Sequence, residues 1–510
     1  MSNTSKSSWF ALGIPDILFL ILVLGIVQRS QFGMLDDPGL GWHLRNVDAM
    51  WQQGGWLMED PFSGPRAGAA WRTNQWLGDL VLRLGEAWGG KEGIAAVMTL
   101  FLAFMYRILY GIFRSDGLSW PAALFWTFWG VMATALSWGA RPNVASLLFL
   151  MLLVRACNLF HEGRISRRRM FWLVPLMTLW ANTHGGFVAG LVTLAATALI
   201  ELGIGVLAPE PEQRSGGIAR FVFLVILFPA CVAATLINPY GWGLYPWIFQ
   251  LLGDPFFMGL HTEWKSPDFH ATGAFRYESL MLALPVLLTF SRRRVNALEL
   301  ALCLLWLHFA LSGRRYVALW VLVSIPMMAR LSLELPFWKR LGERFPISSD
   351  LAALLAKPPS RPAPFFWSLV IAVVFLGWAR LTDDYAAHNQ KRIPTQTLDW
   401  LTEHHGEKTI LHHYNWGGYV TWSGWPETKN WIDDRNEVQG EEHVKDYFSL
   451  LDAAPGWEEQ LVRGGVEIVC LPRDTPLVSR LLEHPDWSII HEGKYAVVLE
   501  RKKREETPDN

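Results

Sequence analysis

Residues Leu35–Leu77 read LDDPGLGWHLRNVDAMWQQGGWLMEDPFSGPRAGAAWRTNQWL, a run of carboxylates, histidine, arginine and tryptophan directly after the first apolar segment. Elsewhere the apolar half of the chain keeps its polar side chains sparse, so this loop is where chemistry is expected. Of the 510 residues 51% are hydrophobic and 18% charged, which excludes an ordinary soluble globule and fits an integral membrane protein. A formal net charge of −1 provides no basic surface for nucleic acid. Cys157, Cys231 and Cys303 fall in apolar segments and Cys470 stands alone, so no disulfide framework follows.

Eleven apolar stretches are candidate spans. They are 14–28, 93–113, 120–138, 143–160, a short 171–180, 186–205, 220–237, 277–290, 297–311, 316–329 and 365–381. Met1–Phe10 carries a single lysine and no small-residue cleavage site follows, so the first run reads as an uncleaved span. Basic loops at Gly163–Arg169, Ser291–Arg294 and Arg330–Arg361 (with Lys339, Arg340, Arg344 and Lys357) all fall on the cytoplasmic side if the N-terminus is cytoplasmic. The first loop (31–92), Asn238–Phe275 and everything after Leu381 then lie outside.

Within the first outer loop, Leu44/Val47/Trp51 and Trp76/Leu80/Leu84 recur at helical spacing and predict two amphipathic helices along the interface. After Leu381 the composition changes. The pattern there predicts helices at 395–404, 442–451 and 477–483, strands at 408–414 and 466–471, a resumed strand at 419–422, and a hairpin of 487–491 with 495–500. The expected fold is thus an α-helical polytopic membrane protein of about eleven spans (1–384), carrying a C-terminal extracytoplasmic α/β domain (385–510). The last residues, Arg501–Asn510, read as a charged tail.

Asp36 and Asp37 are adjacent carboxylates suited to a general base or a divalent cation; the plainer alternative is a cap and a turn before Pro38. His43 and Arg45 add a proton-handling group and an anion partner. Asp60 before Pro61 and Glu263 are second-line acids. Arg141, His184, Arg314 and Arg315 fall in outer turns, where guanidinium forks suit a lipid phosphate and the alternative is snorkelling to headgroups. The pairs His404-His405 and His412-His413 lack the spacing of a zinc site. Asp433-Asp434-Arg435 reads as an internal ion pair with turn chemistry.

Three motifs carry a resemblance: Asp37–Arg45 (DPGLGWHLR), Asp60–Ser63 (DPFS) and Trp71–Leu77 (WRTNQWL), followed by Asn415–Tyr419 (NWGGY) and Ile432–Arg435 (IDDR). With its acidic first outer loop, the chain resembles bacterial integral-membrane glycosyltransferases of the GT-C superfamily, similar to protein mannosyltransferases and oligosaccharyltransferases. The resemblance spans nearly the whole chain. It implies transfer of a sugar from a polyprenyl-phosphate-linked donor to a lipid, glycan or protein acceptor at the outer face of the bacterial inner membrane, with inversion. It also implies Asp37 as the base, with His43 beside it. The related loops carry D-x-D before the W-H, and here the second acid is Gly39, so a metal site does not carry over. A divalent cation, Mg or Mn, held by Asp36 and Asp37 stays the one candidate cofactor. Two other classes remain: a non-catalytic polysaccharide-assembly partner, and a lipid or sugar transporter.

Overall fold

The computed structural model describes residues 12–31, 33–335, 365–382 and 385–502, with only the backbone at 251–252. The first ten residues, the basic positions Lys339, Arg340, Arg344 and Lys357, and most of the charged tail lie outside the described residues.

Each of the eleven apolar stretches is helical. In chain order the helices are α1 (Ile14–Ser30), α2 (Leu40–Gln53), α3 (Trp76–Ser115), α4 (Trp120–Thr134), α5 (Val144–His161), α6 (Arg167–Met170), α7 (Leu173–Thr183), α8 (Phe187–Leu207), α9 (Pro211–Thr235), α10 (Leu244–Leu252) and α11 (Pro255–Leu260). There follow α12 (Phe275–Phe290), α13 (Ala297–Ser312), α14 (Val317–Leu331) and α15 (Phe366–Leu381). Among the described residues, five helical segments are long and apolar enough to cross a membrane: α3, α5, α8, α9 and Arg314–Glu334, which contains α14. Their buried faces form one continuous apolar core.

The two amphipathic stretches after the first apolar segment are helical, but the second is the start of α3 rather than a separate helix. Gly89 and Gly90 break α3 sharply, Gly90 taking a φ of 59° that a side chain would strain. The break brings Gly85 against Gly93 so closely that a Cβ on Gly93 would stand 1.9 Å from the Gly85 carbonyl oxygen.

The C-terminal part holds α16 (Thr395–His405), α17 (Gly417–Gly424), α18 (Asn436–Gln439), α19 (Glu441–Leu451), α20 (Trp457–Arg463) and α21 (Pro476–Glu483). With them is a four-stranded sheet of β1 (Ile410–His412), β2 (Ile468–Leu471), β3 (Trp487–Glu492) and β4 (Val497–Arg501), ordered β1-β2-β4-β3. β1 and β2 run parallel, and β3–β4 is the expected hairpin. Residues 419–422 correct the sequence reading: they are not a strand but part of α17. Tyr-Val-Thr-Trp is strand-prone, yet tertiary packing overrides propensity here. A Cβ on Gly418 would fall 1.9 Å from the Pro38 carbonyl oxygen, and one on Gly41 would fall 1.7 Å from the carbonyl of Gly418. The glycines of DPGLGW and NWGGY therefore dock α2 on α17, backbone against backbone.

Two further contacts join the segment between α1 and α3 to the C-terminal part. Asn430 exchanges backbone hydrogen bonds with Phe62 and Gly64 at 3.0 and 2.8 Å. Arg435, fully buried, donates to Asp60 at 2.6 Å, to Asp433 at 2.6 and 2.9 Å and to Ser63 at 3.2 Å, between the rings of Phe62 and Trp71. Arg45 of the WHLR motif does similar work: it donates to Asp48, to Glu86 and to the Trp422 carbonyl.

Candidate active site

Asp37 lies just ahead of α2, its Oδ1 accepting the Gly39 N–H at 2.9 Å, so the turn expected before Pro38 is present. The Ala140 N–H donates to the Met34 carbonyl at 2.8 Å, which brings the loop before α5 alongside. Arg141 on that loop donates from Nε to Asp37 Oδ1 at 2.9 Å and from Nη2 to Asp434 Oδ2 at 2.8 Å. Asp434 Oδ1 also accepts the Trp42 Nε1–H at 2.7 Å. A carboxylate from the C-terminal part thus joins a cluster begun in the loop between α1 and α2.

Burial pushes the Asp37 carboxyl above its ordinary range, the Arg141 cation pulls it back and the neighbouring Asp434 charge adds to the rise. Asp434 escaped the sequence reading as a site residue. Asp433 and Arg435 do form the internal ion pair expected of IDDR, but the acid between them reaches outward. Glu437 also escaped it: burial, reinforced by Asp434, raises its carboxyl to about 7. The IDDR motif, which holds Asp434 and ends two residues before Glu437, was the available signal for both.

His43 is buried at 1% exposure, its Nδ1 2.6 Å from Asp79 Oδ1. Asp79 in turn accepts from Asn46 and Thr73 at 2.9 Å each, so the imidazole is oriented by a fully engaged carboxylate. His43 lies within electrostatic reach of Asp37.

His184 follows the end of α7. Its Nδ1 accepts the Gly186 N–H at 2.9 Å and faces Ser146 Oγ at 2.9 Å, the hydroxyl itself accepting from Trp180 Nε1. Nδ1 is therefore the acceptor and the neutral ring carries its proton on Nε2. Burial and the charges of Arg315 and Arg141 hold the imidazolium pKa down at about 3. Arg315 lies over the Trp264 ring at 3.9 Å, with Nη1 3.6 Å from Glu263. Burial raises the Glu263 carboxyl, but Arg315 and Arg141 outweigh it and leave the pKa below its ordinary value. The loop holding Glu263 is tied to α18 by Asn436, which donates from Nδ2 to His261 at 2.7 Å.

Asp37, His43, Arg141, His184, Glu263 and Arg315 are thus brought together, joined by Asp434 and Glu437. Three candidates stand apart. Asp36 turns away from its neighbour and accepts the Asn389 N–H at 2.8 Å. Asp60 accepts from Phe62 N–H, Ser63 N–H and Arg435; burial would raise its carboxyl, but the guanidinium holds it low. Arg314 is exposed, its charge felt by Tyr277 rather than by the cluster.

The donor set does not suit a divalent cation on Asp36 and Asp37, because the two side chains diverge and the Arg141 guanidinium fills the space between Asp37 and Asp434. Among the described residues no three or more His, Cys, Asp or Glu side chains gather at metal-binding distances.

The cluster occupies one end of the bundle, at the start of α5, the end of α7 and the α13–α14 turn. At the other end of the same helices Asp116 pairs with Arg155 and Arg330, and Arg330 with Glu299. Along α5, Arg155 lies about 17 Å down the helix axis from Val144.

No family model matches the sequence, and no curated protein shows significant sequence similarity. Solved structures do match. ArnT from Cupriavidus metallidurans bound to undecaprenyl phosphate superposes with a TM-score of 0.53 at 14% identity, covering 95% of this chain and 97% of its own. The oligosaccharyltransferase AglB from Archaeoglobus fulgidus, in complex with an inhibitory peptide and a dolichol-phosphate, gives a TM-score of 0.51 at 11% identity, covering 90% and 69%. An Archaeoglobus fulgidus oligosaccharyltransferase complex with Zn and sulfate gives 0.50 at 13% identity. The fold is GT-C-like. Around that GT-C-like bundle the apolar helices make an integral membrane architecture, with the Asp37 cluster at one pole.

Proposed function

We propose that the protein is a membrane glycosyltransferase that moves a sugar from a polyprenyl-phosphate-linked donor to an acceptor at the outer face of the membrane. The observation that carries this reading is the meeting of a carboxylate raised by burial, Asp37, with Arg141, Arg315 and a neutral His184 at one pole of a GT-C-like bundle. The structural relatives bound to undecaprenyl phosphate and dolichol-phosphate support a lipid-linked donor.

In this reaction the acceptor hydroxyl gives its proton to Asp37 as its oxygen bonds to the anomeric carbon. The bond from that carbon to the phosphate oxygen breaks through an oxocarbenium-like state, and a single displacement inverts the configuration. Polyprenyl phosphate leaves with the electron pair. Its growing charge is met by the fixed cations of Arg315 and Arg141 and by the Nε2–H of His184, without reorganisation. His43, oriented by Asp79, stands beside the base.

Asp434 takes over the role of the missing second acid. A Cβ on Gly39 would lie 3.0 Å from the Trp42 ring, so the indole fills the space of an aspartate there and holds Asp434 in its stead. We assign residues 1–384 to the GT-C-like part and 385–510 to an extracytoplasmic α/β domain, with the N-terminus cytoplasmic. The exposed arginines 167–169 and 292–294 at the pole away from Asp37 support that orientation.

The test is incubation of the purified protein with a panel of labelled polyprenyl-phospho-sugars and candidate acceptors. Release of polyprenyl phosphate with transfer of label supports the reading, with Arg315→Ala slower by about 10–1,000-fold. Tight donor binding with no release from any member, in wild type and variant alike, counts against catalysis.

A further inference from the structure

A cavity of about 390 Å³ lies where the bundle meets the C-terminal part, and shares no lining residue with the Asp37 cluster. Its walls include Lys91, just past the break in α3, His388 and Gln390 on the link after α15, Asp399 on α16, and Tyr419 and Trp422 on α17. That volume lies within the roughly 300–1,000 Å³ of small-molecule sites.

The decisive side chain is His388. It is 7% exposed; Nδ1 stands 3.8 Å from Asp36 Oδ1, beyond hydrogen-bond reach, and neither ring nitrogen has a hydrogen-bond partner. Buried polar atoms are nearly always satisfied, so a doubly orphaned imidazole lining a cavity marks a place for a ligand. Burial and the Lys91 charge lower its pKa to about 4, so at neutral pH it offers one N–H donor and one lone-pair acceptor. A phosphodiester or a fully ionised phosphomonoester, which presents only acceptors, cannot satisfy the lone pair. Vicinal hydroxyls satisfy both nitrogens.

The surroundings favour the same ligand. Asp399 takes the Tyr419 hydroxyl on Oδ1 at 2.9 Å, leaving Oδ2 as an acceptor for hydroxyls. The Gln390 amide donates to Thr395 at 2.7 Å, leaving its carbonyl oxygen to accept. Tyr419 and Trp422, both partly exposed, meet His388 edge-on at 5.3 and 5.6 Å and present apolar ring faces for a pyranose.

We propose that this cavity binds a saccharide, separately from the Asp37 centre. Under the glycosyl-transfer reading it holds a sugar unit of the acceptor, although saccharide binding itself does not depend on that reading.

The experiment is saturation-transfer difference NMR on the full-length protein in detergent. The probes are methyl glycosides of glucose, galactose, mannose and N-acetylglucosamine, with inorganic phosphate as competitor. The expected result is saturation of at least one glycoside, unaffected by phosphate and kept in Asp37→Asn. Affinity falls about ten-fold or more in His388→Phe, which keeps the ring but removes both nitrogens. Gln390→Ala, at a partly exposed position, provides the second variant and should weaken the same signal, with size-exclusion profiles confirming that both variants fold. No saturation of any glycoside by wild type, equal saturation in both variants, or displacement by phosphate overturns the proposal. Loss of the signal in Asp37→Asn overturns the separateness of the site.

Discussion

The Arg141 guanidinium donates from Nε to Asp37 Oδ1 at 2.9 Å while its Nη2 holds Asp434, a residue 293 positions further along the chain. One cation thereby fixes the proposed base and ties the segment after α1 to the C-terminal part. It also sets the charge state of the base, since burial raises the Asp37 carboxyl and Arg141 opposes that rise.

Arg141→Gln should therefore move the acid limb of the pH–rate profile to higher pH. The base works as a carboxylate, so activity is lost as pH falls through its pKa. Without the cation that pKa climbs further, by about 1–3 pH units, the usual effect of a neighbouring opposite charge. A pH series of kcat/KM for wild type and variant checks this. An unmoved acid limb would mean that Asp37 is not the group titrating.

Glu437 predicts a stability effect with a defined window. Its carboxyl is raised by burial from 4.5 to about 7. A raised carboxyl means that the folded state holds the proton more tightly than the unfolded one. Its contribution is fully present below pH 4.5 and is lost as pH rises through about 7. Glu437→Gln should accordingly gain stability relative to wild type across that window, by up to about 3 kcal/mol. Thermal unfolding at pH 5 and pH 8 measures the difference, which should be small at the lower value and largest at the upper.

The docking of α2 on α17 depends on Gly41 and Gly418. Gly418→Ala puts a methyl group 1.9 Å from the Pro38 carbonyl oxygen, a backbone atom that cannot swing aside. We expect a loss of about 1–3 kcal/mol or more and faster proteolysis between the first loop and the C-terminal part. Gly54→Ala, at a position with open space around it but a φ of 65°, separates backbone strain from steric docking.

Arg435 is buried between Asp60 and Asp433. Arg435→Met leaves two buried carboxylates uncompensated and should cost about 3–5 kcal/mol. Restoring charge balance with Asp60→Asn and Asp433→Asn in the same chain should recover part of that loss, as measured by thermal unfolding.

The apolar helices were legible because length and composition alone mark them, and the hairpin of β3 and β4 because its apolar runs flank Glu492-Gly493. The site was legible only as far as local sequence reaches. Asp37, Arg141, His184, Glu263 and Arg315 each fall in a predicted outer turn, and the helix ends carry those turns to one pole. Asp36 and Asp37 are adjacent in sequence, so nothing local reveals that one faces Arg141 and the other Asn389. The same holds for Arg314 and Arg315. Asp434 was hidden by its setting, because the flanking Asp433 and Arg435 do make the local ion pair. α17 was misread because the close approach of two glycine backbones leaves no mark in strand propensity.

In the proposed reaction Asp37 is the base of the glycosyl transfer. Its most direct test is Asp37→Asn, measured for transfer from a labelled polyprenyl-phospho-sugar and, on the same preparation, for donor binding. Turnover should fall about 10²–10⁴-fold with donor affinity little changed. Turnover that survives the substitution would contradict it.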